Sequence, residues 1–259
     1  MSLKRICIIP TVVVLGLMLL PVIVVLGISI GPSSIYQFPP TAVSGRWFAA
    51  LFSSRAFMES IFEVSLPLGV CVAIAATIVG SLAAIGIVRL EFRGKSFVES
   101  VFLGPVIFPQ ILLAVGLFLM FARLEITPTL WTLALGHLLI SCPYVVRTVI
   151  AGLTGADRRI EEAAQNLGAS PFMAFCRVTL PSIRLSIVSG AIFAFIVSFS
   201  DVNLALFLSA ADSTTLPIQV LSQMQMSSDP TIAAAASVQV LIVSSLLLLV
   251  QRLLGSIKL

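Results

Sequence analysis

Long unbroken apolar runs recur along the whole chain, separated by short segments that carry most of its charge. The hydrocarbon core of a bilayer, roughly 30 Å thick, takes about 20 helical residues to cross. Runs of that length lie at about 6–30, 62–88, 97–121, 130–152, 185–208 and 232–251. A closed β-barrel is the other structure that satisfies backbone polar groups in lipid, but it is built from short alternating strands and not from apolar stretches this long. The pattern predicts an all-α polytopic membrane protein with six transmembrane helices, read as one transmembrane domain over residues 1–259.

Composition agrees: 59% of the 259 residues are hydrophobic and 10% charged, too few polar groups to wet the surface of a soluble core. The first run follows Lys4 and Arg5 as a secretory signal would, but continues from Ile6 to Ile30, well beyond the usual apolar length of such a signal. It is read as an uncleaved first span. Basic residues of short loops stay on the cytoplasmic side. With the N-terminus inside, the inner segments hold Lys4, Arg5, Arg89, Arg93, Lys95, Arg158, Arg159, Arg177, Arg184, Arg252 and Lys258, with Arg147 near the inner end of span four. The outer segments hold Arg46, Arg55 and Arg123. Both termini are therefore expected in the cytoplasm, and topology accounts for the net charge of +4 without a nucleic-acid partner.

Candidate chemistry is sparse. Cys7, Cys71, Cys142 and Cys176 lie in or beside spans without metal-ligand spacing and are read as packing residues. The single histidine, His137, falls in span four, where a hydrogen bond to a neighbouring helix is its expected use. Gly94-Lys95-Ser96 matches the end of a phosphate-binding loop, but the glycine required five positions before Gly94 is Arg89. It reads as a basic turn between spans two and three. No nucleophile, base and orienting group converge, so no catalytic residue and no bound cofactor are expected.

The segment between spans four and five is more informative. It reads Asp157-Arg-Arg-Ile-Glu-Glu-Ala-Ala-Gln-Asn-Leu-Gly168, then Ala169-Ser170-Pro171, and later Leu180-Pro181. Asp157 suits a helix N-cap, with Glu161 and Glu162 near the positive end of the helix dipole. Gly168 suits the left-handed position that closes a helix, and Ser170-Pro171 has the cap-and-first-turn pattern of a second one, which Pro181 is expected to limit. A helix-turn-helix outside the membrane is predicted over 157–181. Ala163 and Ala164 remove bulk from its first helix, so that its backbone can approach a partner protein closely.

Glu162-Ala163-Ala164, Gly168 and Val178-Thr179-Leu180-Pro181, at their spacing and between the fourth and fifth spans, resemble the EAA loop of ABC importer permeases, with valine where isoleucine is usual. The resemblance covers nearly the whole chain. It implies that Glu162, Ala163, Ala164, Gly168, Leu180 and Pro181 belong to a coupling element seated on an ABC ATPase dimer. It also implies a second permease subunit, a periplasmic substrate-binding protein and a place in the bacterial inner membrane. ATP and magnesium would be used by the ATPase and not by this chain, which supplies half of the pathway and is not itself an enzyme.

Arg89-Leu-Glu-Phe-Arg-Gly-Lys95, Pro109, Gly136-His137, Pro143, Phe199-Ser-Asp201 and Leu216-Pro217 are similar to the spermidine/putrescine permease group. That branch implies two different permeases per transporter. Permeases for iron(III), thiamine, phosphonates or opines share much of this pattern and remain alternatives. Asp201 is placed toward the outer part of span five, facing the bundle interior, where with Ser198, Ser200 and Asn203 it would guide a cationic amine; the competing reading has it cap or anchor the end of the span. An ion-coupled secondary transporter would carry several intramembrane ionisable residues, and a membrane-embedded enzyme a cluster at one depth. Asp201 is the main candidate of that kind in a late span.

Overall fold

The structure, a computed structural model, describes residues 3–210, 212–226 and 228–255, and of residues 3–7, 9 and 254 the backbone alone. Lys258 and the side chains of Lys4, Arg5 and Cys7 thus lie outside the described residues. In chain order the helices are α1 (Leu3–Ser29), α2 (Arg46–Ser53), α3 (Arg55–Arg89), α4 (Lys95–Ile107), α5 (Gln110–Arg123) and α6 (Leu130–Gly155). They continue as α7 (Arg158–Asn166), α8 (Pro171–Ser200), α9 (Asn203–Leu208), α10 (Leu216–Met226) and α11 (Thr231–Gly255). Strands are absent among the described residues. Five helices are long and apolar enough to cross a membrane, and the spans number six when the bent pair α4 and α5 counts as one.

Proline accounts for the irregularities at Pro67, Pro109 and Pro181, through its missing N–H and the clash of its ring with the residue before it. The run at 97–121 is two helices bent by 107°. Pro109 (φ −56°, ψ 123°) follows an extended Phe108 (φ −79°, ψ 142°), since a proline pushes its predecessor out of the helical region. Pro181 does not limit the second helix of the 157–181 segment, as the sequence suggests it should: α8 runs from Pro171 to Ser200 without a break. The turns just before Pro181, Phe175–Thr179, widen to π-helix, and so do Glu59–Ser65 just before Pro67 in α3. A wider turn re-pairs carbonyls that the proline leaves without a donor. The fifth apolar run, expected to reach 208, ends as a helix at Ser200, and Asp201 and Val202 separate it from α9.

Packing groups the chain into two compact units, Met1–Ile61 with Leu216–Ser244, and Phe62–Thr215 with Ser245–Leu259. In the first, Phe38 packs on Gly27 of α1, where a Cβ would stand 2.6 Å from its ring. Arg46 at the start of α2 donates to the Pro32 carbonyl (2.9 Å) and lies 4.3 Å from the Trp47 ring centroid. The Tyr36 hydroxyl donates to the Asp229 carbonyl (3.3 Å), while the Asp229 carboxylate takes the Thr231 N–H (2.8 Å) and opens α11.

The second unit is built on α3, α6 and α8, whose shared core holds Ala76, Ala84, Val145, Val149, Ile183 and Ala194. Without a hydrophobic driving force between helices in lipid, close approach depends on small residues. A Cβ on Gly80 would stand 2.8 Å from Val145 Cβ, and one on Gly190 would stand 3.1 Å from Val145 Cα. The α6 backbone therefore lies against glycines of both neighbours. Gly86, on α3 as well, faces open space: no neighbouring atom comes within 4 Å of where its Cβ would stand.

Gly80→Leu should therefore overpack the α3–α6 seam at a cost of about 1–3 kcal/mol, whereas Gly86→Ala should be neutral or mildly stabilising. Thermal unfolding of the purified protein in detergent checks this: a clearly lower midpoint is expected for Gly80→Leu alone. Equal midpoints for the two variants would refute the packing argument.

Candidate functional site

Two places in the second unit collect polar chemistry. The first is the segment between spans four and five. The Asp157 carboxylate accepts the Arg159 N–H (2.9 Å) and opens α7, as its position predicts. At the other end the Gly168 N–H bonds to the Gln165 carbonyl (2.9 Å) and the Ala169 N–H to the Ala164 carbonyl (3.1 Å). This paired closure needs a left-handed residue, and Gly168 has φ +96°. Ser170 Oγ then accepts the Met173 N–H (3.3 Å) and Pro171 begins α8.

No described side chain of α7 is buried. Glu162 and Ala163 are exposed, Ala164 is half-buried, and Glu162 pairs along its own helix with Arg158 (3.3 Å). Leu167 is 90% exposed and Phe172 78% exposed, so the turn presents apolar side chains together with the small-residue face. Leu180 is exposed and Pro181 lies in the first turn after the π segment. The six residues assigned to coupling thus stand on one short stretch of chain, the first four around the α7–α8 turn and the last two about a helix length further on.

What anchors this stretch is not legible in the sequence. Arg89, at the end of α3, donates through Nη2 to Glu161 Oε2 (2.7 Å) and to Thr179 Oγ1 (3.4 Å), and the Thr179 hydroxyl donates to the same Glu161 oxygen. The Arg89 and Glu161 side chains are only 16% and 14% exposed. In the sequence Arg89 counts as one more inner basic residue and Glu161 as a dipole-compensating acid, and 72 residues separate them.

The second place is the break after α8. Asp201 is 6% exposed, and its Oδ2 accepts the N–H groups of Leu204 (2.8 Å) and Ala205 (3.2 Å) at the start of α9. The carboxylate is therefore used as a helix cap. It also lies 3.6 Å from His137 Nε2, while His137 Nδ1 shares a hydrogen bond with Ser198 Oγ (2.9 Å). The histidine thus bonds to a neighbouring helix, its expected use. Gly136 makes this approach possible, since a Cβ there would stand 2.7 Å from the side chains of both Leu204 and Leu208.

Ser198 is buried and Ser200 half-buried. Asn203, also half-buried, donates through Nδ2 to Gln110 Oε1 (3.1 Å) at the first position of α5. The two breaks, after Phe108-Pro109 and after Ser200, are brought together by this amide pair. Sequence reasoning misses Gln110 because it sits inside an apolar run; its signal is a polar side chain directly after a proline. Among the described residues no three His, Cys, Asp or Glu side chains gather as a metal site would require.

Comparison with known proteins places this arrangement. The chain is 35% identical over 201 residues to the putrescine transport system permease protein PotI of Escherichia coli K12, covering 75% of this chain and 71% of that one. It is 30% identical over 213 residues to the spermidine/putrescine transport system permease protein PotC of the same strain, covering 82% of this chain and 80% of that one. A solved chain from a bacterial alginate ABC transporter in complex with an alginate pentasaccharide-bound periplasmic protein has the same fold, with a TM-score of 0.72, 16% identity, and coverage of 96% of this chain and 93% of that one. Residues 76–256 match the model of the binding-protein-dependent transport system inner membrane component, and the chain belongs to that family: it is a multi-pass transport subunit of the inner membrane.

Proposed function

We propose that this chain forms half of the pathway of an ATP-driven importer of polyamines, putrescine or spermidine, with both termini in the cytoplasm. The observation that carries the coupling part is the exposed α7–α8 turn, whose uncovered Glu162 and Ala163 and protruding Leu167 and Phe172 suit a cleft on an ATPase partner. The substrate reading is supported by the names of the two E. coli relatives. A different second permease, an ATPase dimer that uses ATP and magnesium, and a periplasmic binding protein complete the transporter in this reading. The inner basic residues support the orientation. ATP binding would close the ATPase dimer, carry the coupling turn with it and rock the permease halves from inward-facing to outward-facing.

In the same reading Asn203 and Gln110 line the pathway, Ser198 and Ser200 flank it, and Asp201 supplies negative charge from behind them. A buried carboxylate in a low-dielectric setting attracts a passing ammonium even while its oxygens cap a helix.

The test of the whole reading is reconstitution in proteoliposomes with an ABC ATPase, a second permease and a periplasmic binding protein. ATP-dependent uptake of labelled putrescine or spermidine is expected. Uptake of 2-aminoethylphosphonate, thiamine, iron(III) or an opine in its place would move the substrate, and uptake that survives ATP depletion under a proton gradient would overturn the ATP-driven reading.

Gly168→Val forces a β-branched residue into φ +96°, a strain of about 1–3 kcal/mol. Co-purification of the ATPase, or its stimulated hydrolysis, should fall while the binding protein's affinity for substrate stays as it was; intact transport in this variant would remove Gly168 from the coupling element.

Asp201→Asn keeps shape and a good capping group while removing the charge. Polyamine uptake at sub-saturating concentration should drop with insertion and assembly preserved. Unchanged uptake across a full substrate titration would leave Asp201 as a cap alone.

A further inference from the structure

We infer that Arg89, Glu161 and Thr179 form a clamp that transmits movement of the coupling turn to span two as well as to span five. The inference rests on the coupling role proposed above and adds to it the route by which force enters the helices.

Little holds α7 in place. None of its described side chains is buried, and its only covalent connections are the residues around Ala156 and the turn at Gly168. Movement of the turn reaches α8 directly through the chain, because α8 runs unbroken from Pro171 to Ser200. No chain connection carries it to α3, which packs on α8 higher up but meets the coupling segment itself only through side chains. The Arg89 guanidinium supplies that link, since its Nη2 holds a carboxylate of α7 and a hydroxyl of α8 at once, at 2.7 Å and 3.4 Å. Thr179 closes the triangle by donating to the same Glu161 oxygen.

Each corner is positioned by backbone. Arg89 is the last helical residue of α3. Glu161 is in the first turn of α7, fixed by the Asp157 cap. Thr179, 3% exposed, is the last residue of the π segment that Pro181 imposes on α8. The proline thus has a consequence beyond the helix it distorts: the widened turn is where the hydroxyl that meets Glu161 resides. Above the clamp, Ile87 and Ile183 belong to the common core of α3, α6 and α8, so a displacement at the three ends enters one packed body.

A charge pair shielded from water to this degree is also costly to leave half-made, which favours its moving as a unit. Arg89 and Glu161 are accordingly positioning residues, acting through the coupling turn and not on substrate or nucleotide.

The experiment uses the complete transporter in proteoliposomes and reads substrate molecules imported per ATP hydrolysed, with ATPase stoichiometry in the purified complex measured alongside. In Arg89→Ala the ATPase should co-purify in the wild-type ratio while imports per ATP fall about fivefold or more, the scale of a typical coupling energy between sites. Both contacts use a single nitrogen, Nη2, so Arg89→Lys can present one ammonium to the same acceptors and should hold imports per ATP within about twofold of wild type. A wild-type ratio in Arg89→Ala overturns the clamp. Loss of bound ATPase from that variant also overturns it, since the triad would then serve docking and not transmission. If Arg89→Ala fails to insert, Glu161→Gln removes the charge at the loop side without changing shape and is judged by the same two outcomes. A wild-type complex with no ATP-driven uptake at all would instead sink the coupling role proposed above, and so the two failures are told apart.

Discussion

A backbone amide or carbonyl that loses its helical partner in an apolar surrounding has no water to turn to, and the protein must supply the replacement. That requirement explains where the irregular parts of this molecule are and what they contain. At Pro67 and Pro181 the replacement is geometric, a widened π turn that keeps the helix running. After Ser200 it is chemical: Asp201 gives its carboxylate to two N–H groups of the short α9. Around Pro109 the chain breaks outright, and the polar side chain that follows, Gln110, pairs with Asn203. The last two of these places bring polar side chains, Asp201, Asn203 and Gln110, into an apolar bundle.

The periodicity that announces a span is legible because it rests on length and hydropathy, which tertiary packing does not alter. The ends of the 157–181 segment are legible for a similar reason. Asp157, Gly168 and Ser170-Pro171 each act within four residues of their own position, and each is found doing so. The branch-specific resemblance is legible as well, from scattered short motifs whose spacing survives in this chain.

Proline misleads in both directions. Pro109 reads as part of a continuous span and in fact bends the chain, whereas Pro181 reads as a limit to a helix that continues through it. The difference lies in what surrounds each. Pro181 follows residues able to widen the turn, whereas Pro109 is preceded by an extended Phe108 and a second proline, Pro105, inside α4. Hydropathy does not distinguish these outcomes, because they are settled only in the backbone of the folded chain. The pairings Arg89–Glu161 and Asn203–Gln110 are out of reach for the same reason, at separations of 72 and 93 residues.

The histidine and aspartate beside the second break illustrate how one glycine decides the character of a site. Gly136 lets Leu204 and Leu208 approach α6 closely, at positions a Cβ would contest. That approach carries the start of α9 against His137 and leaves Asp201 3.6 Å from its ring, buried with it. A buried carboxylate is tolerated here because two backbone donors already satisfy it. The imidazole is held through its Nδ1, which shares a hydrogen bond with Ser198 Oγ. The same carboxylate therefore closes a helix beside the histidine ring and stands two residues before Asn203, whose half-exposed amide meets that of Gln110. Structural anchoring and a role toward a passing cation are not exclusive readings of Asp201: the cap fixes where the charge stands, and a charge that is fixed in position can act on a solute without having to reorganise around it.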